Sequence, residues 1–335
     1  MFSNKSILVT GGTGSFGQKF IDHILHNYPK IKKVIIFSRD EFKQHLMQEK
    51  YKQTKFFNKL RFFLGDLRDK ERLAVAFEDV NLIIHAAALK QVPAAEYNPI
   101  EFIKTNVLGT QNLVECAIKS GVDKVVALST DKACSPINLY GATKLCADKL
   151  VTSANNITGN RKISLSVVRY GNVINSRGSV VPLLLDQKSN KQVFTITDKK
   201  MTRFSITLKE GVDAVIWAIK NCIGGEIVVP QIPSYDLSTL IKAIDDKNKV
   251  KIIGIRHGEK MHEEMIIPSD SHLTVKINKY FLIAPNNNIK DKLIKKYKAK
   301  NVKNKFHYKS DTNSKFLSVN ELRKIISDET GYRLI

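Results

Sequence analysis

Residues 6–17 read Ser6-Ile7-Leu8-Val9-Thr10-Gly11-Gly12-Thr13-Gly14-Ser15-Phe16-Gly17. Ser6–Thr10 is a short apolar run of strand type. Glycines crowd the turn that follows, and Phe16, Phe20, Ile21, Ile24 and Leu25 then recur at helical spacing through Tyr28. The order is strand, glycine turn, helix. Such glycines let backbone N–H groups approach a pyrophosphate at a helix N-terminus, where the dipole favours anions. A Gly-x-x-Gly-x-x-Gly pattern alone is weak evidence. Between a strand and an amphipathic helix it is a specific sign of a dinucleotide site.

The alternation continues. Strands are predicted at Lys33–Ser38, Arg61–Leu64, Asn81–His85, Val125–Leu128 and Ile163–Arg169. Helices are predicted at Asp40–Tyr51, Asp69–Phe77, within Pro93–Lys119 and at Ile137–Ala154. Apolar strands alternating with amphipathic helices imply an α/β fold with a doubly wound parallel sheet of Rossmann-like type. Ligands on such sheets sit beyond the carboxyl ends of the strands. Thr10, Arg39, Asp66, Ala86, Thr130 and Tyr170 lie at those ends and should converge on one crevice.

After Tyr170 the pattern loosens. Gly171–Pro182 reads as a loop, Val180–Gln187 as a short helix, Lys209–Asn221 as an amphipathic helix and Gly225–Val229 as a seventh strand. Short elements then alternate: helix near Leu237–Ile244, strand near Lys251–Ile255, helix near Gly258–Met265, strand near Tyr280–Ala284. We therefore expect residues 1–175, rejoined by 204–229, to form the dinucleotide-binding domain. Residues 176–203 and 230–335 are expected to form a smaller C-terminal α+β substrate lobe and a tail. Lys- and Asn-rich Asn286–Lys315 reads as surface chain. Ser318-Val319-Asn320-Glu321 is a capping box opening a last helix, Glu321–Ile326.

A chain of 335 residues can bury a full core, and 43% apolar with 26% charged residues is ordinary for a soluble domain. No apolar run reaches the roughly 18 residues of a spanning helix. Strand-like sequence from Ser6 leaves no room for a signal peptide, so a cytoplasmic protein without membrane insertion is expected. Cys116, Cys134, Cys146 and Cys222 show neither Cys-x-x-Cys pairing nor a His at ligand spacing. They read as reduced thiols and not as a metal site. The net charge of +22 raises nucleic acid as a partner. However, the excess Lys is scattered, and its densest group, Lys290–Lys305, holds only Tyr297 as a stacking platform. We expect no nucleic-acid partner; the positive field instead attracts a doubly charged nucleotide.

A second stretch, Leu128–Lys144, reads LSTDKACSPINLYGATK. Tyr140 and Lys144 share one helix face. The Lys144 ammonium is expected to lower the phenol pKa and make Tyr140 a base. Thr130 ends the preceding strand, and an acid and an amine, Asp131 and Lys132, follow directly. The second strand ends Phe37-Ser38-Arg39-Asp40. An acid closing that strand would bind the ribose of NAD. Ser38 and Arg39 suit a 2′-phosphate, so NADP is expected, and Asp40, one position late, leaves NAD open. Asp66 is placed to accept from the adenine amine.

These residues resemble a family. TGGTGSFG (10–17), HAAA (85–88), TNVLGTQNL (105–113) and the Thr130, Tyr140, Lys144 set resemble the extended short-chain dehydrogenase/reductases. Within them the chain is similar to the configuration-inverting UDP-N-acetylglucosamine 4,6-dehydratases of pseudaminic acid biosynthesis. FSRDE (37–41), AALK (87–90), LSTDKA (128–133), NLYGATKL (138–145), RYGNV (169–173), SRGSVVP (176–182), MTRF (201–204) and GEKMHE (258–263) carry that likeness through about Met265. Asp131-Lys132 is the most informative pair, because dehydratases of the dTDP-glucose type carry Asp-Glu there. His257 stands where Pro is usual, Ser205 where a larger apolar residue is usual, and the C-terminal end matches loosely.

The resemblance implies a bound NADP, regenerated each turnover. It sets the cofactor against Gly11, Thr13, Gly14, Ser15, Phe16, Gly17, Ser38, Arg39, Asp40, Lys43, Asp66, Leu67, Ala86, Lys90, Thr105, Tyr140, Lys144 and Val173. It sets UDP-N-acetylglucosamine against Lys90, Leu128, Ser129, Asn172, Arg177, Gly178, Ser179, Val180, Val181, Arg203, Arg256 and Glu259. Tyr140 would take the 4-hydroxyl proton, with Thr130 on the 4-oxygen and Lys144 holding the phenolate. Lys132, needing a lowered pKa, is the candidate base at carbon 5. Asp131, needing to be protonated, is the candidate acid for the departing 6-hydroxyl. His85 reads as structural. A homo-oligomer is expected through Pro93–Lys119 and Ile137–Ala154. The alternatives are a UDP-hexose epimerase, a carbon-5-retaining dehydratase and, more distantly, an NADP-binding regulator.

Overall fold

The computed structural model describes residues 2–176 and 178–334. The first half alternates as β1 (Ser6–Thr10), α1 (Ser15–Asn27), β2 (Lys33–Ser38), α2 (Glu41–Lys52), β3 (Leu60–Leu64), α3 (Lys70–Ala76) and β4 (Leu82–His85). It continues through α4 (Val92–Tyr97), α5 (Pro99–Phe102), α6 (Gly109–Lys119), β5 (Lys124–Thr130), α7 (Leu139–Ser153) and β6 (Ser164–Tyr170). The expected long helix over Pro93–Lys119 is broken. Pro99 opens a new turn after Asn98, and Ile103–Leu108 winds wide in a π-helical stretch before α6. Proline has no N–H to carry the ladder across that point.

The second half contains β7 (Asn172–Val173), α8 (Val180–Ser189), β8 (Phe194–Ile196), β9 (Thr202–Ile206), α9 (Leu208–Asn221), β10 (Ile227–Pro230), β11 (Ser234–Asp236), α10 (Leu237–Ile244) and β12 (Val250–Ile252). It closes with β13 (Glu264–Ile266), β14 (Thr274–Ile277), β15 (Tyr280–Ile283), α11 (Asn287–Tyr297), β16 (Lys300–Asn301), β17 (Tyr308–Lys309) and α12 (Val319–Thr330).

Among the described residues the principal sheet runs β16-β14-β15-β10-β6-β5-β4-β1-β2-β3. Strands from β3 to β10 are parallel, and β15, β14 and β16 extend it antiparallel. Strand order reverses between β1 and β4, and a crevice opens at such a switch point. Apart from the edge strand β3, the parallel strands are largely buried on both faces, which explains their apolar runs.

A separate apolar cluster joins α8, β8, α10 and α12 into a smaller lobe around Leu184, Phe194, Leu240 and Leu322. Residues 230–335 do not all belong to it. β14 and β15 sit in the principal sheet, and Met265, Ile266 and Tyr308 pack in the principal core. The helix expected at Gly258–Met265 does not form. Gly258 has φ +75°, and Glu264–Ile266 is extended against β17. Asn286–Lys315 is not plain surface chain either. Asn286 caps α11, Leu293 on that helix is fully buried, and β16 and β17 follow. The Ser318 capping box does open α12, which runs on to Thr330.

Candidate active site

The glycine turn is built by close backbone packing. A Cβ on Gly17 would lie 2.6 Å from the Gly11 carbonyl oxygen, and one on Gly11, at φ +65°, 2.9 Å from the Ala87 backbone. No side chain caps α1 and no acid occupies its first turn, so its N–H groups suit a phosphate. His85 at the end of β4 bonds Thr10 Oγ1 at 2.8 Å and Thr110 Oγ1 at 3.1 Å. Burial, then the charge of Lys144, lowers its pKa to about 3, so it is a neutral tie from β4 to β1 and α6.

One cavity of about 1090 Å3 runs from this turn past the ends of β1, β4, β5 and β6 to the loops after β6 and β12. Every described residue expected to touch the cofactor lines it. Thr105 Oγ1, Asn172 Oδ1 and Ser179 Oγ are buried in its walls without hydrogen-bond partners among the described residues. Bare polar atoms of this kind suit a polar ligand, and the residues present fit a nicotinamide dinucleotide.

At the far end of β2, Gln44 Nε2 donates to Ser38 Oγ at 3.1 Å. Arg39 is exposed at the mouth, 4.0 Å from Asp66. Burial works against ionisation of Asp66, but hydrogen bonds from Arg68 and the charges of Arg68 and Arg39 hold its carboxyl below the usual range.

Thr130 ends β5, and Tyr140 lies in the first turn of α7, whose N-cap is Asn138. Burial pushes the Tyr140 phenol up to about 12, against the charge of Lys132 and a hydrogen bond with Thr130. The expectation that Lys144 depresses it is corrected here. Lys144 Nζ donates to the Leu128 carbonyl at 2.7 Å, and the opposing cation is Lys132. Burial lowers the pKa of Lys144 itself, with Asp148 opposing.

Asp131 is fully buried; its Oδ1 accepts from Thr130 Oγ1 at 2.9 Å and from Lys132 Nζ at 3.0 Å. Lys132 Nζ also lies 3.2 Å from Glu263 Oε1. Burial would lower the pKa of Lys132, but these two carboxylates outweigh it and raise it above the usual ammonium range. The lowered value expected for a resting base is therefore not found. Asp131 is raised by burial and then by Glu263, the direction a general acid needs.

Lys90, Leu128, Asn172, Gly178, Ser179, Val180, Arg203, Arg256 and Glu259 line the same cavity. Ser129 does too, but its hydroxyl donates to Asp148 at 2.8 Å, a carboxylate shared with Arg169 at 3.0 Å. Val181 is displaced from the expected set: it is 2% exposed and packs inside the smaller lobe, because α8 turns it inward. Arg177 lies outside the described residues. Arg203 is buried, its Nη2 3.3 Å from Glu259 Oε1. Sequence reasoning gave Glu263 and Asn138 no role. Both sit inside runs quoted above, and no local pattern marks them as site residues.

The sheet order, glycine turn and Thr130–Tyr140–Lys144 set define an extended short-chain dehydrogenase/reductase. The chain belongs to the family described as polysaccharide biosynthesis protein, which it matches over residues 7–285. It is 49% identical to the UDP-N-acetylglucosamine 4,6-dehydratase (inverting) of Campylobacter jejuni subsp. jejuni serotype O:23/36 (strain 81-176), over 99% of this chain and 100% of that protein. It is 40% identical to UDP-glucose 4-epimerase of Rickettsia rickettsii (strain Sheila Smith), over 84% of each. Among solved structures, Pen from Bacillus thuringiensis matches with a TM-score of 0.88 at 37% identity, over 98% of each chain. DesIV, a dTDP-glucose 4,6-dehydratase of Streptomyces venezuelae with NAD and TYD bound, shares the fold at TM-score 0.68 and 22% identity, over 76% of this chain and 86% of that one.

Proposed function

We propose that this protein is an NADP-dependent UDP-N-acetylglucosamine 4,6-dehydratase, a hydro-lyase that inverts carbon 5 and opens the route to pseudaminic acid. The observation that carries the reading is the Asp131–Lys132 pair at 3.0 Å, beside Thr130 and Tyr140 on one cavity wall. A 4-epimerase needs only the Thr, Tyr and Lys set. Elimination across carbons 5 and 6 needs a further acid and base. The likeness to the inverting Campylobacter enzyme over the whole chain supports the same substrate.

Tyr140, once it has shed its own proton, accepts the 4-hydroxyl proton while Thr130 orients the 4-oxygen. Lys144, anchored on Leu128, stands ready to hold the phenolate. Bound NADP supplies a reversible store for one hydride. Asp131 gives its proton to the departing 6-hydroxyl, and Lys132, once it has shed its own proton, takes the one on carbon 5. NADP over NAD is supported by Arg39 at the mouth and by the engagement of Asp40 in capping α2. Exposed Tyr97, Ile100, Leu108 and Ile137, spread over α4, α5 and the segments before α6 and α7, support a homo-oligomer, and the protein is read as cytoplasmic.

Proton NMR of the protein with UDP-N-acetylglucosamine in deuterated water tests the reading. A 6-deoxy methyl signal, deuterium at carbon 5 and ring couplings of the L-arabino form support it. A methyl signal with retained geometry moves the protein to the retaining dehydratases. A 4-epimerised sugar or untouched substrate overturns the reading.

A further inference from the structure

Glu263 is 2% exposed, lies on the cavity wall and has no part in the roles above. Its backbone is held on both sides by Ser310: the Glu263 N–H donates to Ser310 Oγ at 2.8 Å, and the Ser310 N–H donates to the Glu263 carbonyl at 2.9 Å. Its Oε1 lies 3.2 Å from Lys132 Nζ and 3.7 Å from Arg203 Nε. Glu263 Oε2 and Asp131 Oδ2 are both buried without a hydrogen-bond partner among the described residues.

The charges around this cluster leave an imbalance. Asp131 and Glu263 are buried carboxylates; Glu259, 29% exposed, takes up Arg203 at 3.3 Å, which leaves Lys132 shared between Asp131 and Glu263. Nearby Lys260 stands 4.0 Å from Glu264, so that pair adds no net charge. A buried cluster disfavours net charge. One proton on a carboxylate restores neutrality. Asp131, the deepest of the three at 0% exposure, is the one raised toward protonation, whereas Lys132 and Arg203 overcome burial to keep Glu263 ionised.

We propose that Glu263 is a positioning residue that accepts the proton of Lys132, freeing the amine as a base while Asp131 keeps its own proton. The inference rests on the dehydratase reading. The N–H bond of the Lys132 ammonium breaks and an O–H bond forms on Glu263 Oε1. The amine lone pair then takes the carbon 5 proton, and the C–H electron pair enters the enolate of the 4-ketone. The Asp131 proton leaves with the 6-hydroxyl as water. Passage of a proton from Lys132 to Asp131, and from Glu263 back to Lys132, restores the starting state with no net gain or loss.

Glu263→Gln keeps the size of the side chain and removes its charge. Its kcat on UDP-N-acetylglucosamine is expected to fall about 100-fold, with KM within about threefold of wild type and NADP still bound. The deuterium isotope effect on kcat with carbon-5-deuterated substrate is expected to rise, because proton removal there becomes slower. Glu263→Asp keeps a carboxylate and is expected to recover about tenfold of the loss. A wild-type rate in Glu263→Gln, or a slow variant with an unchanged isotope effect, overturns the inference. Should Glu263→Gln not fold, Glu263→Asp carries the test alone: a raised isotope effect supports the inference and a wild-type one overturns it. If wild-type protein leaves the substrate untouched, the dehydratase reading fails and this inference with it. If wild type turns over and Glu263→Gln is unaffected, only the inference fails.

Discussion

Asp40 accepts a hydrogen bond from the backbone N–H of Lys43 at 2.9 Å, so the acid after β2 caps α2. Its other oxygen faces Lys43 Nζ. The carboxylate is thereby engaged with the start of its own helix, and Arg39, the residue before it, is exposed at the cavity mouth. Arg39→Ala is expected to weaken NADP binding about ten- to a hundredfold, the worth of a charge-assisted contact, and to leave NAD binding nearly unchanged. Calorimetric titration of cofactor-stripped protein with each dinucleotide checks this. An unchanged NADP-to-NAD ratio would remove Arg39 from the specificity determinants.

Gly141 lets α7 lie directly on the turn that carries the acid and the base. A Cβ there would come within 2.2 Å of the Lys132 carbonyl oxygen, a backbone atom that cannot swing aside. Gly141→Ala should therefore push Tyr140 away from Thr130. We expect about 1–3 kcal/mol of lost stability from overpacking and a kcat lower by about 100-fold from misplacement. Urea unfolding and steady-state kinetics separate the two; a variant with normal kcat would contradict the role given to this contact.

Lys132 is the cation beside buried Glu263 and a hydrogen-bond donor to buried Asp131, so its loss should act twice. Lys132→Ala is expected to abolish product while NADP remains bound. It should also cost about 3–5 kcal/mol of stability, because the ionised and buried Glu263 loses its cation. Product NMR and cofactor absorbance on the same folded sample provide the check. Full activity in this variant would end its assignment as the base.

His85 predicts a pH dependence of stability. Its folded pKa is about 3 against an ordinary 6.5, chiefly because it is buried. Below pH 6.5 the unfolded chain takes up a proton that the folded ring refuses. Stability is therefore lost as pH falls from 6.5 toward 3, by about 1.4 kcal/mol per pH unit from this residue. His85→Gln, which can still reach Thr10 and Thr110, should flatten that slope. Urea unfolding at a series of pH values would show it, and equal slopes in the two proteins would refute it.

The strand, glycine turn and helix of residues 6–28 were legible because they rest on local signals: apolar periodicity, a crowded turn and a helix start. The same holds for Tyr140 and Lys144 on one helix face, and for the Ser318 capping box. Other features depend on what distant segments bring. β13 is a strand because β17 pairs with it, although its own sequence reads as helix. β14 and β15 join the principal sheet through β10, a pairing no local period announces.

The amino-acid sequence by itself determined the doubly wound fold, the dinucleotide turn and the presence of an acid and an amine after Thr130. Only the tertiary structure decided their charge. It buried Asp131, brought Glu263 from a segment distant in sequence to within 3.2 Å of Lys132, and so raised an amine that the sequence alone would have lowered. The physical reason is that burial and opposing charge act through space, so protonation depends on neighbours that chain order does not reveal.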